Sequence, residues 1–111
     1  MGAEHAARIR ELNDALRSGE PSSGELFITA GIMSLGVSFM AAAIDAVRSF
    51  TSFTDDNDPY GEHDFGAVEI DGERVFWKID YYDQTLTAGS PDPADPQLTK
   101  RVLTIMLASE Y

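Results

Sequence analysis

Cysteine is absent from the 111 residues, so neither a disulfide framework nor a thiolate metal site can form, and a reducing, cytoplasmic setting is expected. Basic residues are scarce. Eight Lys and Arg stand against nineteen Asp and Glu, which withholds the positive footprint that a nucleic-acid binder needs. Long apolar runs are missing as well. The least charged stretch, Leu26 to Ile44, is interrupted by Gly31, Ser34, Gly36 and Ser38, too short and too broken to span a bilayer. No basic segment precedes an apolar run, so neither a secretory signal nor membrane association is expected.

What is present is a globular composition. Apolar residues make up 43% and charged residues 24%, enough to build one core in a single domain over residues 1–111. The net charge is −11, and its placement is uneven. Residues 55–96 hold twelve acids against Arg74 and Lys78 alone. An acidic surface attracts cations, repels nucleic acid, or fills a basic groove on another protein. High solubility accounts for the same charge with no partner at all.

Local patterns give an element order. Ile9, Leu12 and Leu16 line one face of a helix over Ala3 to Ser18, and Gly19 suits the position just past its end. Leu26 to Thr29 reads as a short buried strand. Val37 to Phe50 carries two apolar stripes, as expected of a central helix covered on most sides. Phe65 to Ile70 and Arg74 to Tyr82 are β-rich runs flanking Asp71-Gly72, a dipeptide suited to a two-residue type I′ turn. That turn pairs Val68 with Val75, sets Glu69 against Arg74, and leaves Gly66 opposite Trp77. Asp95-Pro96 reads as a helix start, with Leu98, Val102, Ile105, Met106 and Ser109 on one face of the helix that follows. The expected fold class is α+β: three helices packed on a small, mostly antiparallel sheet that contains a hairpin with its turn at 71–72.

Polar chemistry concentrates between Asp55 and Gly66. A calcium loop starting at Asp56 would place Asp58 and Gly61 correctly, but Tyr60 and Ala67 fall where two oxygen ligands are required. Two histidines do not make a zinc hydrolase. No metal and no cofactor are expected, and the loop should be ordered by Asp and Asn side chains bonding backbone amides around Pro59 and Gly61. The hairpin register, continued, sets His63 opposite Asp80. That pair is the candidate acid–base site if the protein is an enzyme; a structural hydrogen bond closing the hairpin is the other reading. Aromatics are interleaved along the hairpin, yet its acids oppose base stacking, so one aromatic face is expected to meet protein.

Three stretches carry a family resemblance. Arg8 to Asp14 (RIRELND), Asp56 to Gly66 (DNDPYGEHDFG), and Phe76 to Asp83 (FWKIDYYD) with the closing RVLTIMLASEY resemble the bacterial family called domain of unknown function 3768. The resemblance runs from about Ile9 to Tyr111 and implies no catalytic residues, since the family has no established activity. It implies instead an accessory gene of plasmids and other mobile elements. In that context a small acidic protein resembles inhibitors of host defence, of the anti-CRISPR or anti-restriction type, which fill the basic groove of a nucleic-acid-handling complex. The expected partner is therefore a protein with a basic groove. The expected contact residues are Asp56, Asp58, Glu62, Asp64, Glu69, Glu73, Tyr82 and Asp83. A small enzyme built on His63 and Asp80, or an accessory module with a different partner, are the alternatives.

Overall fold

A computed structural model describes residues 2–20 and 24–111. The elements are α1 (Gly2–Arg17), β1 (Glu25–Ile28), α2 (Ala30–Met33), α3 (Val37–Arg48), β2 (Phe65–Ile70), β3 (Glu73–Tyr82) and β4 (Lys100–Leu107), followed by a 3₁₀ turn at Ala108–Glu110. The strands form one sheet in the order β1-β4-β3-β2. β2, β3 and β4 pair antiparallel, and β1 joins β4 in parallel. The fold is α+β, with three helices and a mostly antiparallel sheet.

The hairpin follows from its turn. Asp71 and Gly72 both have positive φ, 51° and 81°, as a type I′ turn requires and as Asp-Gly tolerates. The register then pairs Val68 with Val75, Glu69 with Arg74 and Gly66 with Trp77. A side chain at Gly66 would overlap the Trp77 indole, so glycine there makes room for the largest buried residue. Val75, Trp77 and Ile79 face the core, exposed by no more than 4%.

α1 ends as a Schellman turn. Gly19 (φ 99°) donates to Leu16 and Glu20 donates to Ala15, both at 3.0 Å. Its buried stripe differs from the expected one. Ile9 and Leu16 are buried, but Asn13 and Arg17 complete the stripe in place of Leu12. α3 buries Phe39, Ala43 and Val47, while Val37 is exposed. It therefore covers one face of the sheet and is not enclosed on most sides.

Three further expectations are corrected. The segment Lys100–Leu107 is a strand, not a helix. Its apolar residues fit both periods, but Arg101, Leu103 and Ile105 are buried at alternate positions, and pairing on both sides selects the period of two. The Asp95-Pro96 signal makes only a turn: Asp95 accepts from the Gln97 amide at 2.9 Å, and its carbonyl accepts from Leu98 at 3.1 Å. β1 is not a buried strand either. It is an edge, with Leu26 and Phe27 largely in solvent.

The helices lie on one face of the sheet, where Leu16, Val47, Trp77, Leu103 and Ile105 join the core. The other face carries Phe27, Lys78, Asp80, Tyr82 and Thr104 along an open groove of about 730 Å³. Among the described residues no helix is long and apolar enough to cross a membrane.

Candidate functional site

The polar residues divide into two partly buried clasps under the helix face and a set of solvent-facing carboxylates. The first clasp centres on His63. Its φ of 56° turns the chain out of the strand just before β2 begins. The continued register therefore fails there, and the ring swings to the helix side. It stacks on Phe53 at 3.7 Å between centroids, with planes 4° apart. Nδ1 lies 2.9 Å from the Asp14 carboxylate and Nε2 lies 3.6 Å from Asp58. Asp80 sits on the opposite face of the sheet, 2.9 Å from the Lys78 ammonium. His63 and Asp80 are not brought together.

Arg17 extends this clasp. Its Nη1 donates to the carbonyls of Val47 and Phe50 at 2.8 and 2.7 Å, where the end of α3 leaves acceptors without intrahelical partners. Its Nη2 donates to Asp14 at 3.2 Å, and its guanidinium lies 5.1 Å from the Trp77 ring centroid. The charge is thus held between a helix end, a carboxylate and aromatic faces.

The second clasp centres on Asn13, which is fully buried. Its amide donates to the Glu62 carbonyl at 3.0 Å and to the Tyr81 hydroxyl at 2.8 Å. Its carbonyl accepts from Arg101 Nε at 2.9 Å. Tyr81 donates in turn to the Glu62 carboxylate at 2.9 Å, and Arg101 also donates to the Pro93 carbonyl. Burial pushes the Tyr81 phenol far above its ordinary value, so it stays neutral and donates. Burial also lowers the Arg101 guanidinium from its usual range. Asp64, beside this cluster, is raised by burial and by the Glu62 charge.

The Asp-rich loop is ordered from within. Asn57 accepts from the Thr54 amide at 2.8 Å, and its own side-chain amide donates to the Ser52 carbonyl at 2.9 Å. Asp58, buried, accepts from the His63 amide at 3.1 Å. Its carbonyl accepts from Gly61 at 3.1 Å.

These bonds sort the eight expected contact residues. Asp58 is buried against His63, and Glu62 and Asp64 are half-buried beside Tyr81. Asp83 accepts from the Thr87 amide at 3.0 Å, the first of the bonds that hold its carboxyl below the ordinary range. Tyr82 lines the open groove. Asp56, Glu69 and Glu73 are exposed, and the neighbouring Asp55 and Asp71 join them. At the hairpin tip Glu69, Asp71 and Glu73 are all exposed, and among the described residues Arg74, 3.9 Å from Glu69, is the cation paired with one of them. Sequence reasoning missed Asn13, Asp14, Arg17 and Arg101. The signal was there: Asn13 and Arg17 stand four apart, between the apolar residues of α1.

The fold and its polar groups define a small α+β protein with a half-covered sheet, internally clasped polar groups and an acidic hairpin tip. Residues 28–110 match the family described as protein of unknown function DUF3768, and the chain belongs to it. No curated protein and no solved structure matches the chain.

Proposed function

We propose that this protein acts by binding, in the cytoplasm, and that its partner is a protein with a basic groove of the kind that otherwise holds nucleic acid. Complexes of bacterial host defence, restriction or CRISPR, are the specific class. The observation that carries this reading is the hairpin tip, where the exposed carboxylates Glu69, Asp71 and Glu73 cluster at a type I′ turn and, among the described residues, Arg74 pairs with Glu69 alone. A preformed acidic projection meets a basic groove with little ordering cost.

The enzyme alternative is less well supported. Acid–base catalysis at His63 needs a ring nitrogen free to exchange a proton with substrate. Both nitrogens here face carboxylates, and the ring is stacked on Phe53. That geometry favours a structural clasp.

Affinity for a candidate defence complex, measured at two salt concentrations, tests the reading. Binding should weaken steeply with salt, because exposed charges are screened beyond roughly 8–10 Å at physiological ionic strength. Reversing Asp56, Glu69 and Glu73 together should slow association and relieve inhibition, while reversing Glu4 and Glu11 on α1 changes little. Wild-type inhibition by the triple variant, with His63→Ala folded but inactive, assigns the function to His63 instead.

A further inference from the structure

The two edges of the sheet are built differently. β2 forms one edge and carries Glu69 exposed on it, a charge that discourages further pairing. β1 forms the other edge, and from Leu26 to Ile28 it has no charge, no proline and no break in register. Its parallel ladder sets Phe27 against Thr104, and the Thr29 amide donates to the Ile105 carbonyl at 3.2 Å. Peptide groups alternate in direction along a strand. The N–H groups of Phe27 and Thr29 point toward β4, while the Thr29 carbonyl turns to accept from Met33, so the N–H and C=O of Leu26 and Ile28 point outward from the sheet.

The surroundings of that edge also alternate. On the helix side lies a cavity of about 170 Å³, with apolar wall from Leu16, Ile44, Val47 and Leu103 and polar members Arg17, Glu20 and Arg48. Leu26 lines it and remains 43% exposed. On the other side lies the open groove, whose described lining holds the acids Glu25, Asp80 and Glu110 and one cation, Lys78, paired with Asp80. The side chains of an added strand would enter the two sites in turn.

We propose that β1 is a docking edge for an extended segment of a partner protein, which adds as a fifth strand with apolar side chains toward the helix-side cavity and Lys or Arg toward Glu25, Asp80 and Glu110. Main-chain hydrogen bonds supply affinity in this mode, and the alternating side-chain sites supply selectivity. Pairing of two β1 edges is opposed by the −11 charge on each copy. The proposal goes beyond the acidic hairpin tip: it uses the opposite edge of the sheet and stands or falls separately from it.

The probe is a synthetic peptide of about eight residues, a usual strand length, alternating Val and Lys, with a Val/Glu peptide and a scrambled Val/Lys peptide as controls. Binding of the Val/Lys peptide should slow amide exchange at Leu26 and Ile28 by at least about tenfold, an effect confined to newly bonded amides. Leu26→Pro removes an outward N–H that β4 does not use, a substitution edge strands accept. It should weaken binding by about tenfold or more, and Glu25→Lys should weaken it too. No binding of the Val/Lys peptide, equal binding of either control, or binding without protection at Leu26 and Ile28 overturns the proposal. A concentration-dependent dimer that protects those amides assigns the edge to a second copy, and overturns it as well. Should Leu26→Pro lose the native fluorescence of Trp77, the exchange pattern of the wild-type protein decides.

Discussion

Glu110 lies outside the acidic stretch that dominates the chain, yet its carboxylate joins three parts of the fold. It accepts from the Thr29 hydroxyl at 2.7 Å, the Leu107 amide at 2.8 Å and the Gly31 amide at 3.0 Å. The Thr29 bond is the chief reason its carboxyl is held below the ordinary 4.5. A carboxyl lowered by folding contributes stability above its unfolded value and loses it as pH falls through the folded one. Glu110→Gln should therefore flatten the loss of stability as pH falls below the ordinary 4.5, read as urea midpoints. Asp64 has the opposite sign. Its carboxyl is raised by burial first, so the charged form opposes folding at neutral pH. Asp64→Asn is expected to hold or raise the urea midpoint at neutral pH and to lose that advantage in acid. At His63 the clasp is mutual: His63→Ala leaves Asp58, already buried, without its imidazole. A cost of about 1–3 kcal/mol in urea unfolding is expected.

Among the elements, the hairpin was legible in the sequence because its information is local. Asp71-Gly72 admits few turns, and one turn fixes every pair up to Gly66 and Trp77. Trp77→Ala should cost about 3–5 kcal/mol, since the indole is fully buried. Gly66→Ala pushes a methyl into that indole and should cost about 1–3 kcal/mol. Both are measured by chemical denaturation. β4 was not legible for the converse reason. Its apolar residues satisfy a helical period and a strand period alike, and the deciding partners, β1 and β3, lie far away in sequence. The His63–Asp80 pairing fails on one dihedral: two residues beyond the Phe65–Lys78 pair, the positive φ of His63 turns the chain out of the strand. The polar clasps escaped notice because Asn13 and Arg17 occupy places where apolar residues are expected. Burial there is tolerated only because their partners Val47, Glu62, Tyr81 and Arg101 converge from four other segments.

For the molecule as a whole, eleven excess negative charges on 111 residues repel one another in the compact state. Moderate salt should therefore raise the melting temperature even as it weakens the proposed association with a basic partner. The two responses have opposite signs, so thermal melts and binding titrations across one salt series separate self-repulsion from recognition. A partner whose affinity is indifferent to salt would argue against the acidic projection as the contact. One further consequence lies in the sheet order. β4 stands between β1 and β3 and bonds to both, although it is made after both. While the chain is still on the ribosome, with residues 100–107 not yet emerged, β1 has no neighbour and the hairpin has only itself. The nascent protein thus waits, with two strands ready to receive a third, until its closing segment arrives between them. A ribosome stalled behind an added linker too short to let residues 100–107 leave the exit tunnel should keep the chain sensitive to protease, and a linker long enough to expose them should make it resistant.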